Sequence, residues 1–362
     1  MKVEGRWRRT IEVEGDRSVT VLDQARLPYE IAWMRLVELG DAVRAIRDMH
    51  VRGAPLIGAT AAYGVALAMR SDPSATGLAA ACTALAATRP TAINLLWALG
   101  EMRAALDGAA TGARADLAYA AASAIAEADV AQCEAIGRHG LGPLRAAAER
   151  AGSRPVRVLT HCNAGWLATV DWGTALAPIY VAHREGLRLH VWVDETRPRN
   201  QGMLTAWELA QEGVPHTVIA DNQGGHLMQR GEVDLCIVGT DRTTRNGDVC
   251  NKIGTYLKAL AARDNGVPFY AAVPSSSIDW RVAEPREIPI EERDGDELRF
   301  VRGRDAHGAP ARVEVVPPGS PVANAAFDVT PHRLMTGLIT ERGIAPATRE
   351  GLGALFPEHA RP

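Results

Sequence analysis

Aromatic residues are scarce in this 362-residue chain, at 5%, so its core must be built mainly from aliphatic side chains and alanine. An excess of one charge is missing too. The 40 basic and 43 acidic side chains leave a formal net charge of −3, which argues against nucleic-acid binding, where a basic excess or stripe is the usual footprint. The longest apolar stretches, such as Leu56–Met69, fall short of the ~20 residues of a membrane span, so no membrane association is expected. The opening MKVEGRWRRTIEVEGD has no apolar stretch behind its basic residues, unlike a secretory leader. The five cysteines (Cys82, Cys133, Cys162, Cys236, Cys250) are odd in number and widely spaced. That is the pattern of reduced thiols in a cytoplasm, not of a disulfide framework. No CxxC or HxxxH pair occurs, so no metal is expected. The fragments GLGPL (140–144) and GLGAL (351–355) lack the third glycine and the preceding strand of a dinucleotide fingerprint, so no nucleotide cofactor is expected either.

What is present is an ordinary globular composition, 47% hydrophobic and 23% charged. At roughly 150 residues per domain the length predicts two domains. Residues 1–150 read as a mainly helical domain after a short β lead-in, with Ser18–Leu22 alternating like a strand. Helical text follows from Gly40, through APLIGATAAYGVALAMR and PTAINLLWALGEMRAAL, to an alanine-rich run ending at Arg150. Alanine has the best helix propensity, and small side chains let helices pack closely. Gly152-Ser153-Arg154-Pro155 breaks this pattern.

Residues 155–345 then alternate apolar runs of β type with helical segments. VRVLTHC, LRLHVWVDE, HTVIAD, VDLCIVGTD and VPFYAAVP are the expected strands, and His332–Arg342 the last helix. Such alternation predicts an α/β domain with a parallel sheet covered on both faces. Residues 346–362 read as a C-terminal tail.

Cys162, Asp194-Glu195, Asp221 and Asp241 all end expected strands. Ligands of open α/β sheets bind outside the carboxyl ends of strands, so these positions are expected to converge on one crevice. For any one aspartate, a helix cap or turn is an equally good reading. Cys236, mid-strand, reads as a small buried hydrophobe. Cys162 differs, with His161, Asn163 and Gly165 around it. Arg52-Gly53-Ala54-Pro55 precedes a helical run, an arrangement in which backbone N–H groups and a fork-shaped cation cradle phosphate. Arg89-Pro90-Thr91 repeats it. Asp241 at a closed sheet edge can act as a general acid if burial raises its pKa; a salt bridge to Arg242 is the bland alternative. Asn246-Gly247-Asp248 reads as a turn into a helix that carries Asn251 and, on its first turn, Lys252. Gln201 offers hydrogen bonds to sugar hydroxyls. Asp328 reads as a cap or a structural residue.

Taken together, RGAPLIG (52–58), RPTAINLLWAL (89–99), THCNAG (160–165), DETRP (194–198), QG (201–202) with LTAWEL (204–209), DNQGGHLM (221–228), VGTDR (238–242), NGDVCNKIGTY (246–256), IPIEERD (288–294) and NAAFDVTP (324–331) resemble the methylthioribose-1-phosphate isomerase family. That family is related to the alpha, beta and delta subunits of the eukaryotic translation-initiation exchange factor. The resemblance runs in order from about residue 10 to 345. It implies a helical N-terminal domain, a Rossmann-like C-terminal domain, a homodimer, and cofactor-free conversion of 5-methylthioribose 1-phosphate to 5-methylthioribulose 1-phosphate in methionine salvage. It also implies Asp241 as proton donor, Cys162 as transition-state partner, and Arg52, Gly53, Ala54, Arg89, Gln201, Asn251 and Lys252 as substrate contacts. Thr240 departs from the family's usual alanine, and the loop after Gln201 is one residue shorter; both bear on the 5-substituent. The alternatives are a 5-deoxyribose 1-phosphate or ribose 1,5-bisphosphate isomerase, or a non-catalytic regulatory subunit.

Overall fold

The computed structural model describes residues 1–359. The expected β lead-in is larger than one strand. β1 (Lys2–Val3) and β2 (Arg6–Trp7) form a small hairpin, and β3 (Ile11–Val13), β4 (Val19–Leu22) and β5 (Trp33–Leu36) form an antiparallel meander. Six helices follow: α1 (Leu39–Arg47), α2 (Ala54–Ser71), α3 (Ala75–Ala86), α4 (Ile93–Leu106), α5 (Arg114–His139) and α6 (Leu141–Ala151). α2 is buried along most of its length between the meander and its neighbouring helices. Its Ala, Gly and Thr side chains allow that closeness.

After the Gly152–Pro155 break the chain runs β6 (Val156–Thr160), α7 (Ala177–Arg184), β7 (Leu189–Asp194), α8 (Gly202–Glu212), β8 (His216–Ile219), α9 (Gln223–Gln229) and β9 (Leu235–Val238). It continues as β10 (Arg242–Thr244), β11 (Val249–Lys252), α10 (Thr255–Asp264), β12 (Phe269–Ala272), β13 (Ile278–Asp279) and α11 (Asp296–Arg299). β14 (Phe300–Arg304), β15 (Pro310–Glu314), β16 (Phe327–Thr330), β17 (Gly337–Thr340), β18 (Gly343–Ala345) and α12 (Arg349–Leu355) complete it.

The main sheet has the order β18-β17-β12-β9-β6-β7-β8, parallel except for β18. Counted along the chain, its parallel strands stand 3-2-1-4-5-6, the doubly wound order, which reverses between β6 and β9. Successive strand residues feed different cores. Val158 and Ile237 join the one that includes Tyr180 and Leu209; Leu159, Cys236 and Val238 join the one that includes Phe269 and Leu352. The sheet is therefore covered on both faces, as the apolar alternation predicts, and Cys236 is the buried hydrophobe expected of it.

Three expectations are corrected. His332–Arg342 is not a helix: a short turn leads into β17, whose Gly-Leu-Ile-Thr is fully buried beside β12. A short apolar run has no periodicity to separate a buried strand from a helix. Asn251 and Lys252 lie on strand β11, not on a helix, because Asn246-Gly247 turns an antiparallel hairpin between β10 and β11, with Gly247 at φ +91°. The segment expected to be a tail includes α12, and Leu352 and Phe356 are buried against the sheet; residues 360–362 lie outside the described residues.

Candidate active site

The reversal of strand order opens a crevice between the ends of β6 and β9. Cys162 follows β6 and Asp241 follows β9, and both line one pocket. The first half of the chain closes it. Arg52, Gly53 and Ala54 come from the start of α2, and Arg89 from the approach to α4. β11 adds Asn251 and Lys252, and Gln201 comes from the start of α8. The nine residues that the family resemblance implies for the site therefore meet in this cavity of about 110 Å³.

Cys162 is held in the left-handed region at φ +68°, a conformation that costs a non-glycine residue energy unless its surroundings impose it. Here they do. Its N–H donates to Thr196 Oγ1 at 2.9 Å, and its C=O accepts from Thr205 Oγ1 at 2.8 Å. Gly53 caps α2 at φ +88°, and a Cβ there would collide with Ala168. Only glycine lets this helix start lie so close to the loop after β6.

The cavity is rich in buried charge. Burial pushes the Cys162 thiol up, against the pull of Arg52 and Lys252. Burial likewise raises the Asp241 carboxyl, opposed by Lys252, Arg89 and Arg52. Lys252 is 5% exposed, and burial lowers its ammonium pKa. Arg242 does not pair with Asp241; it bonds Thr91 O at 2.7 Å and Asp279 at 3.4 Å. The salt-bridge reading of Asp241 therefore fails. Arg89 reaches Glu291 at 3.3 Å. Gln201 Oε1 and Arg89 Nε are buried without a protein partner.

Asp194 and Asp221 do not line the pocket. They stand behind it, in a cluster with His161 and Lys258. Asp194 meets His161 Nδ1 and Lys258 Nζ, each at 3.1 Å, while Asp221 accepts from the N–H groups of Thr196 and Arg197. Those bonds hold the DETRP loop, whose Thr196 in turn accepts from Cys162 N. Glu195 is likewise outside the pocket lining. His161, just past β6, is held away from the pocket that Cys162 lines by its contacts with Asp194 and Ile253 O. His161, Asp194 and Asp221 do present three possible ligand atoms within 4.8 Å. Yet the Lys258 ammonium already occupies Asp194, and His161 Nε2 faces Ile253 O at 2.9 Å, so this cluster is poorly suited to a cation. Asp328 caps α10 through the N–H groups of Gly254 and Tyr256.

The sequence reading gave no role to Met49, Arg199, Arg293 or Ile288, which also line the cavity. Ile288 and Arg293 belong to IPIEERD, a quoted motif whose part in the site no local pattern reveals.

The initiation factor 2 subunit family matches residues 50–347. Methylthioribose-1-phosphate isomerases of Methylorubrum populi and Rhizobium meliloti are 65% and 62% identical, over 100% and 99% of this chain and 100% of each relative. The chain belongs to the methylthioribose-1-phosphate isomerase family. The structure of 5-methylthioribose 1-phosphate isomerase from Pyrococcus horikoshii superposes with a TM-score of 0.84 at 38% identity, covering 98% of this chain and 97% of that one. A structure described as the translation initiation factor eIF-2B delta subunit of A. fulgidus gives 0.80 at 36%, covering 97% and 100%.

Proposed function

We propose that this chain isomerises 5-methylthioribose 1-phosphate to 5-methylthioribulose 1-phosphate, the aldose–ketose step of methionine salvage, with Asp241 and Cys162 at the reacting atoms. The observation that carries the residue roles is the cavity at the strand-order reversal. It gathers an acid whose pKa burial raises, a thiol and six cationic side chains, among them Arg52, Arg89 and Lys252. The names of the full-length relatives support the reaction.

The phosphate on C1 blocks simple ring opening, so an acid must protonate the ring oxygen. A carboxyl with a raised pKa suits that task near neutral pH. Arg52, Arg89 and Lys252 offer charge to the phosphate, with the N–H groups at Gly53 and Ala54 at the start of α2. Gln201 and Asn251 offer hydrogen bonds to the sugar. Hydrogen then moves from C2 to C1 in a pocket whose buried walls limit water.

The protein works in the cytoplasm as a homodimer, with a Rossmann-like catalytic half (residues 155–345) beside a helical one (1–150). Coupled assays with methylthioribose 1-phosphate and 5-deoxyribose 1-phosphate test the reaction. Turnover of the first is expected, and its absence with folded protein would leave the regulatory-subunit reading. Sedimentation tests the dimer.

A further inference from the structure

Glu208 on α8 is fully buried behind the pocket, and the mechanism above does not use it. Its carboxylate accepts four hydrogen bonds: from Tyr180 Oη at 2.6 Å, Trp166 N at 2.7 Å, Asn163 Nδ2 at 2.8 Å and Leu167 N at 3.0 Å. The loop after β6 wraps so tightly around it that a side chain at Gly165 would collide with the carboxylate. The next link leads to the pocket. Asn163 Oδ1 accepts from both terminal nitrogens of Arg52 at 2.8 Å, and Asn163 O accepts from Nη2 at 2.8 Å.

We propose that Glu208 is a positioning residue: it fixes which face the Asn163 amide turns to Arg52, and so aims the Arg52 guanidinium at the substrate phosphate. This rests on the isomerase reading.

Burial raises the Glu208 carboxyl pKa, and the bonds from Tyr180, Asn163, Leu167 and Trp166 oppose that rise; as a carboxylate it only accepts, so Asn163 gives Glu208 its NH2 and keeps its oxygen for Arg52. A guanidinium bonds in a fixed planar fork, so two anchored nitrogens fix the direction of the rest. Arg52 is half-buried, and Glu208 is one of the acidic groups whose field supports its charge. Thr205, one turn before Glu208, ties the same helix to Cys162 O and receives Asn163 Nδ2 at 3.1 Å. α8 thus holds the Cys162–Asn163 loop at two points.

The test is Glu208→Gln, which keeps the shape but must turn an NH2 toward a backbone N–H, that of Leu167 beside Asn163 or that of Trp166 beside Tyr180, whose hydroxyl can accept. With the NH2 on the Asn163 side, the Asn163 amide is expected to flip and present its NH2 to Arg52. KM for methylthioribose 1-phosphate should rise about ten- to hundredfold, the scale of a charged hydrogen bond, with a smaller change in kcat. Inorganic phosphate should weaken as a competitive inhibitor to a similar degree. In an Arg52→Ala background, Glu208→Gln should add less than about twofold, because residues acting through one contact are not additive. Tyr180→Phe removes one donor without adding another, so its KM should stay within about threefold of wild type. Losses that add in the double variant, or an unchanged KM in folded Glu208→Gln, overturn the proposal. If Glu208→Gln does not fold, Asn163→Ala cuts the same relay, and its effect must likewise vanish when Arg52 is alanine. Phosphate binding followed by calorimetry needs no turnover, so failure of this relay is distinguishable from failure of the isomerase reading.

Discussion

Asp241 stands in the cavity with no side-chain ion pair to Arg242, its sequence neighbour, which is committed to Thr91 and Asp279. Burial raises its pKa, so the proton that ring opening needs stays on the carboxyl further toward neutral pH than on an exposed aspartate. Asp241→Asn keeps the shape without the acidic proton. It is expected to fold normally and to lose at least ~100-fold in kcat, the lower range for a general acid. A kcat near wild type would reduce Asp241 to a structural residue. The route of the hydrogen follows from the neighbours. Both ring nitrogens of His161 are engaged by Asp194 and Ile253, behind the pocket, and burial disfavours the thiolate of Cys162. Neither is a ready base for C2, and Lys252, whose pKa burial lowers, is assigned to the phosphate above. Direct transfer from C2 to C1 is therefore expected, with little deuterium at C1 of the ketose after turnover in deuterated water. Substantial incorporation in one forward turnover would make the Cys162 thiolate the base.

Among the elements, what the sequence revealed depended on what each signal could resolve. β6, β7, β8, β9 and β12 were legible because β-branched apolar runs alternate with helical text, and their ends pointed to Cys162 and Asp241. β17 was not, because four buried residues carry no period. The β10–β11 hairpin was read as a turn into a helix, although its Asn-Gly pair is a hairpin signal. Asp194 and Asp221 end their strands as expected, yet pairing with Lys258 and the DETRP loop holds them behind the site. Strand ends give position along the chain and not side-chain direction. The residue roles came from the family resemblance, and Glu208 was hidden in LTAWEL because burial depends on tertiary contacts. α5 carries another such group. Asp129 accepts from Val170 N at 2.7 Å and lies beside Cys133; burial lifts its pKa to about 7. A raised carboxyl pKa means that the folded state keeps a proton the unfolded chain has released. This contribution to stability is present below the unfolded value near 4 and is lost as pH rises through about 7. Asp129→Asn can still accept from Val170 without charging. Its melting temperature should exceed wild type at pH 8, and the gap should close toward pH 5. An equal gap at both values would show that Asp129 does not titrate in this range.

Across the whole molecule, the site exists only because the two halves meet. Arg242 reaches back to Thr91 O, Asn94 Nδ2 meets Ser276 at 2.9 Å, and Thr10 N donates to Val170 O at 3.1 Å. The same junction shapes a second, larger chamber of about 490 Å³ beside the candidate pocket. Met49, Arg52, Arg199 and Gln201 line both, while Leu27, Pro28, Met203, Leu204 and Phe300 give the outer one an apolar wall. Two of its four cations are matched by carboxylates, Arg199 by Glu297 and Arg312 by Asp296, while Arg302 donates to Ala25 O and Arg52 to Asn163. If the inner cations hold the phosphate, as proposed above, the far end of the sugar would extend toward this wall. The chamber is much roomier than a methylthio group requires, and each added buried methylene gains about 0.8 kcal/mol where space exists. The 5-ethylthio and 5-butylthio substrates are therefore expected to lose no kcat/KM relative to the methylthio compound, the butylthio one gaining up to about 60-fold if its three added methylenes are fully buried. Met203→Trp narrows the chamber and should penalise the butylthio substrate first, leaving the methylthio one nearly unchanged. A hundredfold loss on adding the first methylene would instead place the end of the subsite at the sulfur.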